Sequence, residues 1–179
     1  MEIYFTNNFP NNKKIYIHAT DTCYGFACRY DDQKSLQEIM RMKGRPAKKP
    51  FSLLFADLFM LKKFCVLKEE QINFIKKQTQ PSSFILPKKN LLQDYFPTEK
   101  NICVRIENEN FPVFLSRQLN CPVTSTSVNK SGEKPMYWPK DIISTFCEEN
   151  ITLINSGKIP KIPPSTIWNL TNKQYIKLR

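Results

Sequence analysis

The chain has 179 residues, 41% of them hydrophobic, with 27 Lys and Arg against 16 Asp and Glu for a formal charge of +11. That length supports one sizeable core and is short for two, while four Gly and 13 Pro without period exclude collagen-like and low-complexity chains. No apolar run approaches the roughly 20 residues a membrane-spanning helix needs and residues 1–10 lack an export-signal pattern, so a soluble, cytoplasmic protein with no membrane contact is expected.

Along the chain, residues 14–20 read as a strand running into the hydroxyls of Thr20 and Thr22 and a turn at Gly25. Alternation puts His18, the sole histidine, on the strand face opposite Ile15 and Ile17, where a polar side chain is expected to be exposed. Asp31 or Asp32 caps the next helix, whose Leu36, Ile39 and Met40 fall at i, i+3 and i+4, and Gly44 and Pro46 stop it. Residues 51–56 form a buried strand, with short helices near 58–64 and 68–77. Further short strands fall at 83–86, 101–106, 123–127, 151–155, 166–170 and 175–178. Pro112 and Pro139 open helices that run through Leu119 and Phe146, since proline is tolerated in a first helical turn. With no internal repeat and no Gly/Ser linker, the expected architecture is α/β: one domain over residues 1–179, built as a twisted mixed open sheet with flanking helices.

The chemistry is narrowed by what is missing. Six cysteines lie far apart with no C-x-x-C pair, which points to reduced, mostly buried thiols. A single histidine rules out His-rich zinc sites and leaves one candidate for a Ser-His-Asp or Cys-His catalyst. Neither G-x-x-x-x-G-K-S/T nor G-x-G-x-x-G occurs, so Walker-type and Rossmann-type nucleotide sites are unsupported.

Hydroxyls, amides and cations remain, gathered in four clusters that each contain one of the four glycines. Residues 19–25 suit either a ligand site at a strand end or local hydrogen bonds at a strand-to-turn junction. In residues 41–50, Lys43 and Arg45 flank a stiff turn that could hold a polyphosphate, although cations also complement a helix C-terminus. In residues 122–132, Ser125 and Ser127 share one strand face and Thr124 and Thr126 the other, the pattern of a ligand floor or of a polar edge strand. The fourth cluster, Asn155-Ser156-Gly157 and Pro163-Pro164-Ser165-Thr166-Ile167, is a proline-stiffened loop entering a strand. The net charge favours a polyanionic partner such as RNA, but aromatic residues interleaved with the basic runs are not evident.

Taken in order, the clusters resemble the YrdC-like, or threonylcarbamoyl-AMP synthase, family. Thr20-Asp21-Thr22-Cys23-Tyr24-Gly25 stands where that family carries P-T-E-T-V-Y-G-L, and Lys43-Gly44-Arg45-Pro46 with Lys49-Pro50 matches K-x-R-P-x-x-x-P. Ser127-Val128-Asn129 with Ser131-Gly132 matches S-A-N-x-S-G, and Ser165-Thr166-Ile167 matches S-T-I/V. Pro81-Ser82-Ser83-Phe84-Ile85-Leu86 looks like P-G-P-x-T-F-I-L, Ile102-Cys103-Val104-Arg105-Ile106 like V-A-V-R-x-P, and Lys177-Leu178-Arg179 like the closing L-R. The resemblance spans about residues 19–179. Departures from it are the Asn-rich residues 1–12, Ala19 for proline, Gln80 for glycine, and Leu54 where some members have a histidine near threonine.

The resemblance implies a twisted open α/β sheet with a concave basic face. It also implies synthesis of L-threonylcarbamoyl-adenylate and pyrophosphate from L-threonine, bicarbonate and ATP, for tRNA t6A37 modification. Carried over by position, Thr20, Arg105, Ser125 and Ser165 would hold threonine, while Lys43, Arg45, Ser83, Ser127, Asn129 and Arg179 would surround ATP. Lys43 and Arg45 would be the catalytic cations, offsetting charge on the departing pyrophosphate. ATP would enter as Mg-ATP with no protein-bound metal, and the partners would be tRNA or double-stranded RNA and a downstream threonylcarbamoyl transferase complex. The alternatives are a relative with a different acyl acceptor and a non-catalytic double-stranded RNA or tRNA-binding module.

Overall fold

Ten strands make one mixed sheet among the described residues: β1 (Glu2–Tyr4), β2 (Tyr16–Ala19), β3 (Tyr24–Ala27), β4 (Ser52–Leu54), β5 (Ser82–Pro87), β6 (Asn101–Arg105), β7 (Val123–Ser127), β8 (Thr152–Ile154), β9 (Thr166–Asn169) and β10 (Ile176–Lys177). Their spatial order is β1-β8-β2-β3-β7-β4-β6-β5-β9-β10. The structure, a computed structural model, describes residues 1–4, 14–46, 51–92, 100–107, 110–147 and 149–179. Residues 47–50, the end of the second cluster with Lys49 and Pro50, therefore lie outside the described residues, as do residues 5–12 of the N-terminal stretch.

The helices are α1 (Gln33–Lys43), α2 (Leu58–Phe64), α3 (Glu69–Lys76), α4 (Phe111–Gln118) and α5 (Pro139–Phe146). Their starts are chemically marked, as the Asp32, Asp57 and Asn110 side chains accept from the backbone N–H groups of Ser35, Met60 and Val113. The end of α1 is a Schellman turn: Gly44 sits at φ 59°, its N–H donates to Arg41 and the Arg45 N–H donates to Met40. Leu36, Ile39 and Met42 form the buried stripe of α1, with Met40 only partly covered.

Two hydrophobic clusters occupy the two sheet faces. The larger gathers Ile15, Ile17 and Phe26 with α1, α2 and α5, through Ile39, Met42, Leu61 and Phe146. The smaller lies beneath α4 and joins Tyr16, Ala27, Leu54, Val123 and Ile154 to Phe111, Val113 and Leu115. Pairs in register point to the same side of a sheet, and Tyr16 faces Ala27 while Leu54 faces Val123. The α4 face is therefore the one that carries Gly25, Ser52, Ser125 and Ser127, two or four residues along the same strands.

Three expectations change. His18 does oppose Ile15 and Ile17, but α4 covers that face too, and the imidazole is fully buried with its ring 5.4 Å from the Phe111 ring. Gly25 is inside β3 and makes no turn; the turn spans residues 20–23, closed by Thr20 N–H to the Cys23 carbonyl at 2.9 Å. Strand β1, which pairs in parallel with β8, falls in a segment that the sequence reading left unassigned.

Candidate active site

Helix α4 covers only part of its sheet face. On the remainder the registers Gly25 to Ser127, Ser52 to Ser125 and Ser83 to Arg105 lay small side chains on β3, β7, β4 and β5 and the Arg105 side chain on β6, across five adjacent strands. Small side chains leave volume above the backbone, and here that volume is a cavity of about 230 Å³. Pro135 and Tyr137, Pro164 and Ser165, and Arg179 build its rim. Seven of the expected site residues line it: Thr20, Ser83, Arg105, Ser125, Ser127, Ser165 and Arg179. Ser52, Cys23 and Tyr137 also line it, although the sequence reading assigned them no role.

Several of these groups already hold one another. The Thr20 hydroxyl donates to the Cys23 carbonyl at 2.8 Å and accepts from the N–H groups of Thr22 and Cys23, so it fastens its own turn. The buried Ser83 and Ser165 hydroxyls share a 2.9 Å hydrogen bond that ties β5 to the entry of β9. Arg179 donates to the Ser165 carbonyl through Nε at 3.0 Å and Nη2 at 2.8 Å, which makes it a brace for that wall.

Lys43, Arg45 and Asn129 stand outside the wall of this cavity. Lys43, buried at the end of α1, donates to the Ser127 carbonyl, to the Asn129 carbonyl at 3.1 Å and to Asn129 Oδ1 at 2.9 Å. Asn129 Oδ1 also accepts from the Ser127 hydroxyl, and its Nδ2 donates to the Lys130 and Glu133 carbonyls. The lysine thus organises the corner just beyond β7. Arg45 is half-buried, with its guanidinium 4.8 Å from the centre of the Phe51 ring.

Arg105 is the buried cation in the cavity wall. Its Nη2 pairs with Asp21 Oδ1 and lies 3.1 Å from Glu107 Oε1, a contact that falls short of a hydrogen bond. Its Nε is buried with no hydrogen-bond partner. Burial works against the guanidinium's charge, and Glu107 and Asp21 outweigh it, holding the arginine pKa above its usual value. Glu107 moves upward because burial outweighs the pull of Arg105. Neither carboxylate was singled out from sequence; an acidic residue two positions after the arginine and another in the T-D-T run are the only signals, and both are weak.

Two further groups bear on chemistry. Burial pushes the Cys23 thiol pKa up, so it is not a thiolate nucleophile near neutral pH. His18 is lowered to about 4 by burial and is neutral, with Nδ1 2.9 Å from the Ala19 carbonyl and Nε2 unpartnered. At the surface, Trp138 lies under the ammonium groups of Lys140 at 5.4 Å and Lys158 at 5.6 Å, and Lys161 sits 5.9 Å from Tyr137. Folding therefore interleaves aromatics with cations where the linear sequence did not display it. No helix among the described residues is long and apolar enough to cross a membrane.

Comparison with known proteins gives a consistent picture. The Sua5/YciO/YrdC family model, described as telomere recombination, matches residues 9–179. A threonylcarbamoyl-AMP synthase of Hydrogenovibrio crunogenus is 23% identical over 169 residues, covering 91% of this chain and 90% of that protein. P. abyssi Sua5 complexed with L-threonine superposes with a TM-score of 0.84 at 23% identity, over 97% of this chain and 52% of the other. E. coli YciO gives 0.83 at 20% identity, over 99% and 93%. The chain spans about half the length of P. abyssi Sua5, and at these identities the structural matches establish the twisted mixed α/β fold.

Proposed function

Because the chain belongs to the Sua5/YciO/YrdC family, we propose that it joins L-threonine, bicarbonate and ATP into L-threonylcarbamoyl-adenylate and releases pyrophosphate. The observation that carries this reading is the convergence of Thr20, Ser83, Arg105, Ser125, Ser127, Ser165 and Arg179, from distant parts of the chain, on one cavity. Its volume of about 230 Å³ is below the ~300 Å³ at which pockets begin to enclose drug-sized ligands. It suits an amino acid, with the nucleotide extending outward past Ser127 towards Lys43 and Arg45.

In this reading the threonine carboxylate pairs with the Arg105 guanidinium in the cavity wall, and Ser125 and the Ser83–Ser165 pair supply hydroxyls around the rest of the molecule. Thr20 contributes shape, since its proton is already on Cys23. The unprotonated threonine amine attacks carbon dioxide with loss of a proton to solvent, or bicarbonate with loss of water, and an oxygen of the resulting carbamate then attacks the α-phosphorus of ATP as its bond to pyrophosphate breaks. No protein nucleophile is required, so catalysis is positioning and charge compensation in a site that keeps water from a labile carbamate. Lys43 supplies positive charge from beneath the Ser127–Asn129 corner, and Arg45 supplies forked contacts to phosphate beside it. Mg²⁺ enters as part of the substrate, Mg-ATP.

The test is to incubate the purified chain with ATP, bicarbonate and single amino acids while following pyrophosphate, with the adenylate identified by mass spectrometry. Release is expected only with bicarbonate and threonine together. Serine, which lacks a methyl group worth about 1–3 kcal/mol in an apolar pocket, is expected to be a poorer substrate. Equal pyrophosphate release without threonine overturns the reading. RNA contact is a second, compatible reading favoured by Trp138 between its two lysines; it predicts binding that weakens steeply with salt while adenylate formation changes little.

A further inference from the structure

The buried ion cluster behind the cavity has a charge count that the reaction above does not use. Arg105, Asp21 and Glu107 bring one positive and two negative groups together, with the Arg105 side chain 10% exposed, Asp21 25% and Glu107 0%. With both carboxylates ionised the trio carries −1. A ligand carboxylate at the Arg105 guanidinium would add another negative charge to a wall that is largely out of water, where uncompensated charge is costly.

The geometry also decides which group can relieve it. Asp21 bonds the guanidinium directly. Glu107 receives the Asn110 amide on Oε2 at 2.5 Å, while Oε1 has no hydrogen bond. Asp21 and Glu107 also border a second cavity, of about 480 Å³, so that solvent lies close behind the trio although Oε1 itself is buried. The charged or titratable groups around Glu107 are Arg105 on its own strand segment, Asp21 and Cys23 in the loop after β2, and Lys76 at the end of α3 across that cavity.

We propose that Asp21 and Glu107 are positioning residues for Arg105, holding Nη2 so that the guanidinium is fixed against the cavity for the substrate, and that a carboxylate bound there brings one proton from solvent onto Glu107. This deepens the reading of Arg105 as the threonine-carboxylate anchor and rests on it. The upward displacement of the Glu107 pKa by burial acts in the same direction. Threonine affinity then falls as pH rises, towards a limit of about tenfold per pH unit where uptake is complete.

The experiment is calorimetric titration of the full chain with L-threonine between pH 6 and 8, in buffers of different ionisation enthalpy, with and without ATP. Wild type is expected to take up a fraction of a proton per threonine, approaching one as pH rises. Glu107→Gln, which is neutral and keeps an acceptor for Asn110, is expected to show no uptake and a pH-independent Kd tighter than wild type at pH 8. Asp21→Asn removes a like charge, so its uptake shifts to lower pH. A purely structural role for either carboxylate would not move the proton count. Threonine binding by wild type without proton uptake, or uptake that persists in Glu107→Gln, overturns this inference and leaves Arg105 as the anchor. No threonine binding at any pH overturns both.

Discussion

Replacing His18 by Gln tests whether α4 seals the sheet face that continues into the cavity. Burial lowers the imidazole to about 4 from its ordinary 6.5. Acid therefore protonates the unfolded chain before the folded one: the stabilisation is complete above pH 6.5, is lost as pH falls, and levels off below about 4. Between pH 7 and pH 5 these two values correspond to a loss of about 2 kcal/mol. The side chain is fully buried, so solvent screening does not discount the figure. His18→Gln is similar in size and does not titrate. The assay is urea unfolding of both proteins at half-unit steps from pH 7.5 to 4.5. The wild-type curve should drop below the variant's by about 2 kcal/mol between pH 7 and pH 5. Glu107, raised in the fold, acts in the opposite sense, but it is common to both proteins and cancels. Parallel curves would refute the claim that His18 is held neutral beneath α4.

Lys43→Met should cost about 1–3 kcal/mol by removing the buried ammonium donor from the Ser127 and Asn129 carbonyls and from Asn129 Oδ1, and should lower both Tm and threonine-dependent pyrophosphate release. Arg45→Ala removes the contact with the Phe51 face, worth about 1 kcal/mol, and should lower kcat by ~10²–10³ if Arg45 compensates pyrophosphate charge; an unchanged kcat and KM for ATP would remove it from the site. Gly25→Ala places a methyl 3.2 Å from Thr20 Cγ2 and 3.4 Å from the Thr126 carbonyl, so crowding of about 1–3 kcal/mol and a raised KM for threonine are expected, and normal kinetics would mean the floor is looser than it looks. Cys23→Ser should retain kcat, because the buried thiol is not a nucleophile; complete loss of turnover in a folded variant would reverse that assignment.

Local chemistry was readable where one element suffices to express it. The Asp32 cap, the Gly44 stop and the proline-opened helices α4 and α5 each depend on a few neighbouring residues, and all appear as expected. His18 was misread because alternation reports a face and not what covers it; α4 lies far along the sequence from β2. Gly25 looked like punctuation, but its strand position reflects the close approach of Thr20 and Thr126, a tertiary fact. At the site, the hydroxyl-rich strand β7 and Arg105 could be placed from motif order, whereas the partners of Lys43 and Arg105 could not. Asn129 binding Lys43, and Asp21 with Glu107 binding Arg105, are charge pairings between segments that share no local pattern.

The pairing of β5 with β9 has a consequence for how the protein comes into being. Ser83 and Ser165, hydrogen-bonded across that seam, are 82 positions apart in sequence, and the Tyr24 hydroxyl that holds Gly157 reaches across 133. Contacts this distant close large loops before they return any stabilisation, which slows folding relative to chains of similar size built from local contacts. On the ribosome, a nascent chain that has exposed β2 to β7 has the floor of the cavity but neither Ser165 nor the Arg179 brace. Ligand affinity should therefore be acquired late in synthesis, and in refolding experiments it should lag behind the recovery of helical signal from α1 to α4.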